Sequence, residues 1–374
     1  MSAFPTSAPA TGVPPWRIAA RGAATLAAGM GIGRFVYTPI LPLMGLSPRL
    51  GAGLATANYL GYLVGAVAAI AVPGLVRSRA TLRLSLLLLV ATLALMPIAT
   101  NATGWSALRL IAGVASAMIF VSASTTMLTD LPPHAVGWAI GGVGAGIALS
   151  GAAVLAIRAT GTWQQAWWSA AALTAALTAF AWPLHTSGSS ARSEQVRPDP
   201  TARRSFAFLL VSYSLEGVGY IIAGTFLVAA IEQTAPGWAG TGAWILVGLA
   251  ALPSSAFWAW LSHTWSRRSL LVVALLVQAV GIALPAVAGG VVPALISATL
   301  FGATFLGVNT TVLSIGAHLR IARSVAILTT GYSVGQVLGP LAVNPFLHHG
   351  YHTPLLLGAA LVTVAATTAT ASHR

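Results

Sequence analysis

Apolar runs of about membrane length, broken by short polar or glycine-rich punctuation, fill the chain from residue 18 to residue 372. Twelve can be counted: 18–44, 51–73, 82–100, 104–128, 135–157, 162–184, 205–230, 239–261, 269–288, 290–315, 322–346 and 353–372. A bilayer span needs about 20 apolar residues, so the pattern predicts an all-α integral membrane protein with twelve transmembrane helices. Only Gly289 and Gly290 divide the ninth run from the tenth. Residues 1–17 are polar at first and rich in alanine and proline, without the compact apolar region of a secretory leader. They read as a disordered cytosolic tail, and the first run is then the first insertion signal.

Composition points the same way. The 374 residues are 57% hydrophobic and 6% charged, whereas a soluble chain carries about 25% charged residues. Most of the surface must therefore face lipid. A net charge of +13 would suggest nucleic acid in a soluble protein. Here the basic residues lie scattered in short segments, with no basic face to lay on a phosphate backbone, so nucleic acid is excluded as a partner. There is no cysteine, which excludes disulfides, thiolate metal sites and thiol chemistry.

The arginines give orientation. With the N-terminus inside, Arg17, Arg21, Arg77, Arg79, Arg83, Arg192, Arg197, Arg203, Arg204, Arg267, Arg268, Arg320, Arg323 and Arg374 all fall on inside segments. Only Arg49 and Arg158 fall outside, and Arg34 and Arg109 lie within spans. The positive-inside rule puts both termini in the cytosol, in a multi-pass protein expected in the bacterial cytoplasmic membrane.

The longest polar stretch, residues 185–204, divides the spans equally and reads as a flexible cytosolic linker. A bundle of six helices over 18–184 and another over 205–374 are then expected. The two resemble each other: Gly31-Ile-Gly33-Arg34 in helix 1 matches Gly217-Val-Gly219-Tyr220 in helix 7. Glycine-rich helix 5 (Gly142, Gly144, Gly146, Gly151) has a counterpart in helix 11 (Gly331, Gly335, Gly339). A parallel repeat of this kind is one of the transporter plans, with the solute site at mid-membrane between the halves. Small residues four apart (Gly142, Gly146, Ser150; Gly331, Gly335, Gly339) predict close backbone approach in lipid.

This architecture resembles the major facilitator superfamily. The phrases GIGRFVYTPILPLM (31–44), ANYLGYLVGA (57–66) and GVGYIIAGTFL (217–227) are similar to its YbfB/YjiJ-type subfamily, over nearly the whole chain after residue 16. The resemblance implies that helices 1 and 7 both face a central cavity. Arg109-Leu-Ile-Ala-Gly113-Val-Ala-Ser-Ala117 resembles the superfamily's helix 4 arginine motif, associated with proton coupling, with Ala112 in place of its glutamine. The 2–3 loop keeps the basic residues Arg77, Arg79 and Arg83 of the family's loop motif and lacks its acid; the 8–9 loop keeps Arg267 and Arg268, also without one. Gly339-Pro340 resembles half of the antiporter signature, which keeps export open as a direction.

Within the spans the ionisable groups are Arg34, Arg109 and Glu216. Such groups are costly in a bilayer and mark pathways or partners. Arg34 and Glu216 each lie 12 or 13 residues beyond an inside arginine, about 18–20 Å at 1.5 Å per residue. That places both near mid-bilayer on facing helices, where a salt bridge or a water-linked pair is expected. Glu216 is read as a proton-binding carboxylate governed by Arg34 and by substrate, and Arg34, Glu216 and Arg109 are the coupling candidates. A fixed structural pair is the alternative. Arg109 also has a bland reading, as an arginine snorkelling to the outer interface beside Trp105.

Helical spacing stacks Arg34, Tyr37, Thr38 and Leu41 on one side of helix 1, and Tyr213, Glu216 and Tyr220 on helix 7. With Asn58 and Tyr59 (helix 2), Asn309 (helix 10) and Gln336 (helix 11), these are the candidate substrate-binding residues, although Asn58 fits a helix-to-helix hydrogen bond better. Pro39 and Pro42 predict a bend in helix 1 that frees carbonyls. Asp130 is expected to cap helix 5. His348, His349 and His352 cluster in a loop, where exposed histidines are the better reading than a metal site. The tryptophans are expected in interfacial belts. GGVGAG at 141–146 imitates a dinucleotide fingerprint but follows no strand, and no cofactor is expected.

The function expected is secondary active transport of a small organic solute, coupled to protons, by a monomer. A non-transporting receptor or scaffold is the alternative, against which the loops are too short for a signalling domain. No Ser/His pair, paired carboxylates or metal constellation lies in the spans, so an enzyme is not expected.

Overall fold

Each apolar run folds largely as helix in the computed structural model, which describes residues 14–184, 199–319, 321 and 324–371. Among these residues there is no strand. In chain order the helical segments are α1 (Pro15–Met44, irregular in its middle), α2 (Pro48–Ala71), α3 (Arg79–Leu95), α4 (Ala102–Asp130), α5 (Ala135–Arg158) and α6 (Trp163–Ala181). They continue as α7 (Pro200–Thr234), α8 (Ala239–Leu261), α9 (Arg267–Val287), α10 (Val291–His318), α11 (Ser324–His348) and α12 (His352–Ala371). Ten of them are long and apolar enough to cross a membrane. The two outside that set are α3, at 17 residues, and α6, whose first turn is the polar capping box of Thr162 and Gln165.

Several boundaries differ from the sequence reading. Pro15 opens α1 inside the expected tail, whose residues 1–13 lie outside those described. Of the expected linker, 185–198 lie outside them too, while Pro200–Arg204 already form the first turn of α7. There Asp199 accepts a hydrogen bond from the Thr201 amide at 3.4 Å. Asp130 is the last residue of α4, and the cap position of the next helical segment falls to Pro132 instead. That segment, Pro133–Ile140, leads into α5 and receives no side-chain hydrogen bond from its cap position. Trp167 and Trp244 are not belt residues: both are fully buried.

Leucines and valines such as Leu84, Leu128 and Val287 point outward from the bundle, as a surface in contact with lipid requires. Inside, close backbone approach sets the packing. A Cβ on Gly31 would stand 2.5 Å from the Val143 carbonyl and 2.6 Å from Gly146 Cα, which binds α1 to α5. A Cβ on Gly217 would stand 2.6 Å from the Tyr332 carbonyl, which binds α7 to α11. Gly31 and Gly217 are 186 residues apart, as are Gly146 and Tyr332, the same interval that separates Thr38 from Gly224. The α5 and α8 backbones also meet closely, at Gly144 and Gly248.

Candidate functional site

The site begins where α1 stops being an α-helix. After Leu26 it passes through a π-helical segment, Ala27–Ile32, then a turn, a short α-helix (Tyr37–Ile40) and a 3-10 segment (Leu41–Met44) that ends at Gly45 with φ +60°. The prolines explain the outer part of this break. Pro39 has no N–H to offer the Phe35 carbonyl. The Thr38 amide bonds that carbonyl instead, at 3.2 Å, and the Arg34 carbonyl loses the donor that α-helical pairing would have given it. Within a bilayer a bare carbonyl is costly.

Arg109 of α4 supplies the missing donors. It is fully buried, and its terminal nitrogens donate to the Gly33 and Arg34 carbonyls at 3.4 and 3.3 Å. Its guanidinium also lies over the rings of Tyr37, at 4.9 Å, and Trp167, at 5.9 Å. The snorkelling reading is thereby overturned: Arg109 points into the bundle because α1 exposes acceptors there. Trp105 takes its own partners, the Met96 carbonyl at 3.0 Å and the edge of Trp163.

The break also changes which side chains share a face. Arg34, Tyr37, Thr38 and Leu41 do not form one stripe, because i, i+3 and i+4 positions align only along a continuous α-helix. Tyr37 turns into the first half, under Arg109, and its hydroxyl donates to the Gly51 carbonyl at 2.9 Å. Arg34 turns toward the second half. Its Nη2 donates to Gln336 Oε1 of α11 at 2.6 Å. Its guanidinium carbon lies 4.1 Å from the centre of the Tyr62 ring and 5.0 Å from that of Tyr59. Thr38 donates to the Gly224 carbonyl of α7, and the hydroxyls of Tyr59 and Thr225 are 2.8 Å apart.

Glu216 does not form an ion pair with Arg34; the salt bridge between the halves joins Arg158 to Glu232. Depth is the reason. Taking the Thr38–Gly224 contact as a level mark, Arg34 lies four residues below it and Glu216 eight, about 6 and 12 Å by helical rise. Counting from terminal arginines hid this offset, because α1 and α7 begin at different distances from those anchors and α1 is not regular. Glu216 is instead buried on the α7 face near Gln278 of α9 and the rings of Tyr213, Tyr220 and Tyr332. Neither of its carboxylate oxygens, nor either end of the Gln278 amide, has a hydrogen-bond partner.

An aromatic wall spans these two levels. Tyr220 stacks on Phe301 at 5.7 Å, on Phe305 at 5.6 Å and on Tyr332 at 5.8 Å, with interplanar angles of 15°, 18° and 27°. Tyr332 in turn stacks on Tyr213 at 4.5 Å. Phe35, next to Arg34, meets Phe305 edge-on at 6.2 Å. Of the candidate residues, Arg34, Tyr59, Tyr220, Gln336 and Tyr213 come together here. Asn58 does not; its amide donates to the Arg109 carbonyl at 2.9 Å and ties α2 to α4. Asn309 of α10 is half-buried. Sequence reasoning missed Tyr62, three residues beyond Tyr59 on α2, and Phe301, Phe305, Tyr332 and Gln278, which carry no charge to draw attention.

Four contacts that join the halves lie toward one face, at the Arg49 end of the bundle. They are Thr38 to Gly224, Tyr59 to Thr225, Arg49 Nη2 to His348 Nε2 at 2.7 Å, and the Arg158–Glu232 ion pair, in which Arg158 also reaches Thr241 at 3.3 Å. Because arginine can only donate, His348 accepts at Nε2. His352 takes a different partner, the Ala286 carbonyl at 3.0 Å, and the His349 side chain lies outside those described.

The geometry can be set beside known proteins. The family described as "Uncharacterised MFS-type transporter YbfB" matches residues 26–370. No curated protein matches the chain. Among solved structures, the chain is similar to a crystal structure of a mutant of the nucleoside transporter NupG. The identity is 14% and the TM-score 0.70, over 96% of this chain and 100% of that one. At that identity the likeness speaks for the fold alone.

Proposed function

The chain belongs to the YbfB-type family of major facilitator transporters, and from that premise we propose that it carries a small organic solute across the cytoplasmic membrane by alternating access, coupled to protons at Glu216. The observation that carries this reading is the pair of buried charges at the α1–α7 seam. Arg34 faces the second half with no acid beside it, and Glu216 is a carboxylate with both oxygens unpartnered. A permanent structural ion pair would place the two together. Charges held apart and under-satisfied suit groups whose partners, a solute and a proton, come and go.

The arginine count makes the face bearing Arg49 and His348 the outer one. The contacts from Thr38 to Gly224 and from Arg158 to Glu232 then close the protein to the outside. Opening separates two six-helix bundles, 18–184 and 205–374, along the α1–α7 seam, and one chain supplies both. The recurrence of the α1–α5 packing in α7–α11 at an interval of 186 supports that division.

The test is solute-driven proton movement in proteoliposomes. Glu216→Gln abolishes proton movement and keeps solute exchange between two loaded compartments, which needs no net proton. Wild-type proton coupling in that variant removes Glu216 from the mechanism.

A further inference from the structure

Resting on the transport reading, the geometry points to a planar aromatic monocarboxylate as the class of solute, its carboxylate on the edge of Arg34 and its ring against Tyr220 and Phe305. Four observations converge on this.

First, Arg34 is a buried cation without an anion. It is 2% exposed, its Nε has no partner, and its Nη2 bonds the neutral Gln336. A buried charge left unpaired is unfavourable by several kcal/mol in ordinary proteins, so an incoming anion is favoured there. Second, the rings of Tyr62 and Tyr59 lie close over the guanidinium carbon, so a ligand would meet the guanidinium in its plane, where Nε is without a partner. A guanidinium edge matches a flat, two-oxygen acceptor.

Third, the other buried arginine is already engaged. The terminal nitrogens of Arg109 donate to the Gly33 and Arg34 carbonyls and only its Nε is left over, so a second carboxylate on the solute would find no free two-donor edge there. Fourth, Arg34 and Tyr220 occupy equivalent places in the two halves. Each is four residues before one partner of the Thr38–Gly224 contact, so the two lie at about the same depth on opposite sides of the seam.

The rings of Tyr220, Phe301 and Phe305 are mutually parallel to within 18°. They come from α7 and α10, in the half opposite Arg34. A flat ring continues such a stack, whereas a puckered ring does not fit it. A solute of this class holds one half by its charge and the other by its ring. Its binding then draws the halves together, and its release lets them part.

Calorimetric titration of the purified protein with trans-cinnamate, cinnamamide, 3-cyclohexylpropanoate and phenylalanine tests the assignment. Cinnamate is expected to bind at least about tenfold more tightly than each of the others, a gap of about 1.4 kcal/mol. Arg34→Gln erases the difference between cinnamate and its amide. Phe305→Leu keeps Arg34 and erases the difference between cinnamate and the saturated acid, so the proposal stays testable should the Arg34 variant fail to fold. Equal binding of the amide or of the saturated acid by the wild type overturns the assignment, as does a preference for the zwitterion phenylalanine. Proton-coupled flux of a cationic or neutral solute without any response to cinnamate overturns it and leaves the transport reading intact. Cinnamate binding with no flux in proteoliposomes keeps the site and overturns transport.

Discussion

Arg109→Met tests whether the proline-broken α1 is what holds an arginine inside α4. The substitution keeps the unbranched stem, about two atoms shorter, and removes both hydrogen bonds to α1. Two buried carbonyls, of Gly33 and Arg34, lose their donor, at about 1–3 kcal/mol each. Donor distances of 3.3 and 3.4 Å argue for the lower end of that range. The contacts over Tyr37 and Trp167 add about 0.5–2 kcal/mol. Removing a buried cation returns part of this, so the net expected loss is about 2 kcal/mol.

The decisive comparison is the same substitution in a Pro39→Ala background. An alanine at that position has an N–H for the Phe35 carbonyl, so the Thr38 amide can return to the Arg34 carbonyl and restore one of the two acceptors. Arg109→Met is then expected to cost about 1 kcal/mol less than in the parent, a coupling above the ~0.5 kcal/mol scatter of independent sites. Equilibrium unfolding in mixed detergent micelles measures it. Additivity of the two substitutions would refute the claim that Pro39 creates the need for Arg109.

Three further outcomes are expected. Gly31→Leu, whose Cβ would press on the Val143 carbonyl at 2.5 Å, destabilises by more than about 3 kcal/mol, read as loss of monodisperse protein on a sizing column; Gly53→Ala, with nothing within 4 Å of its Cβ, does not. Glu232→Gln weakens the ion pair to Arg158 and shifts the protein toward opening at that face. A cysteine placed at Thr38, in a chain that has none of its own, then reacts faster with a membrane-impermeant maleimide, and an unchanged rate argues against a latch. Asn58→Ala removes one bond between α2 and α4 and lowers stability by about 1 kcal/mol in the same unfolding assay, with no change in the affinity for cinnamate.

Much of this protein was determined by its sequence alone. Runs of about twenty apolar residues have one stable outcome in lipid, because every backbone polar group must be paired within the segment. Helix positions, the all-α class and the family followed from that pattern and from the phrase around Arg34. So did the small-residue packing of α5 and α11, since glycines four apart in a span have few other uses. The bend in α1 was legible too, because proline lacks a donor in any context.

Direction and partnership were decided only by the tertiary structure. Ideal helical periodicity put Tyr37 beside Arg34, but the turn between them gives them different partners, Gly51 for Tyr37 and Gln336 for Arg34. Counting from arginine anchors put Arg34 and Glu216 at one depth, and the Thr38–Gly224 contact separates them by about one helical turn. Nothing in the sequence pattern singles out Phe301, Phe305 and Tyr332, whose rings are brought into a stack by helices distant in sequence. Residue type gives the cost of a buried charge. Which group meets that cost depends on backbone geometry that a regular repeat does not contain.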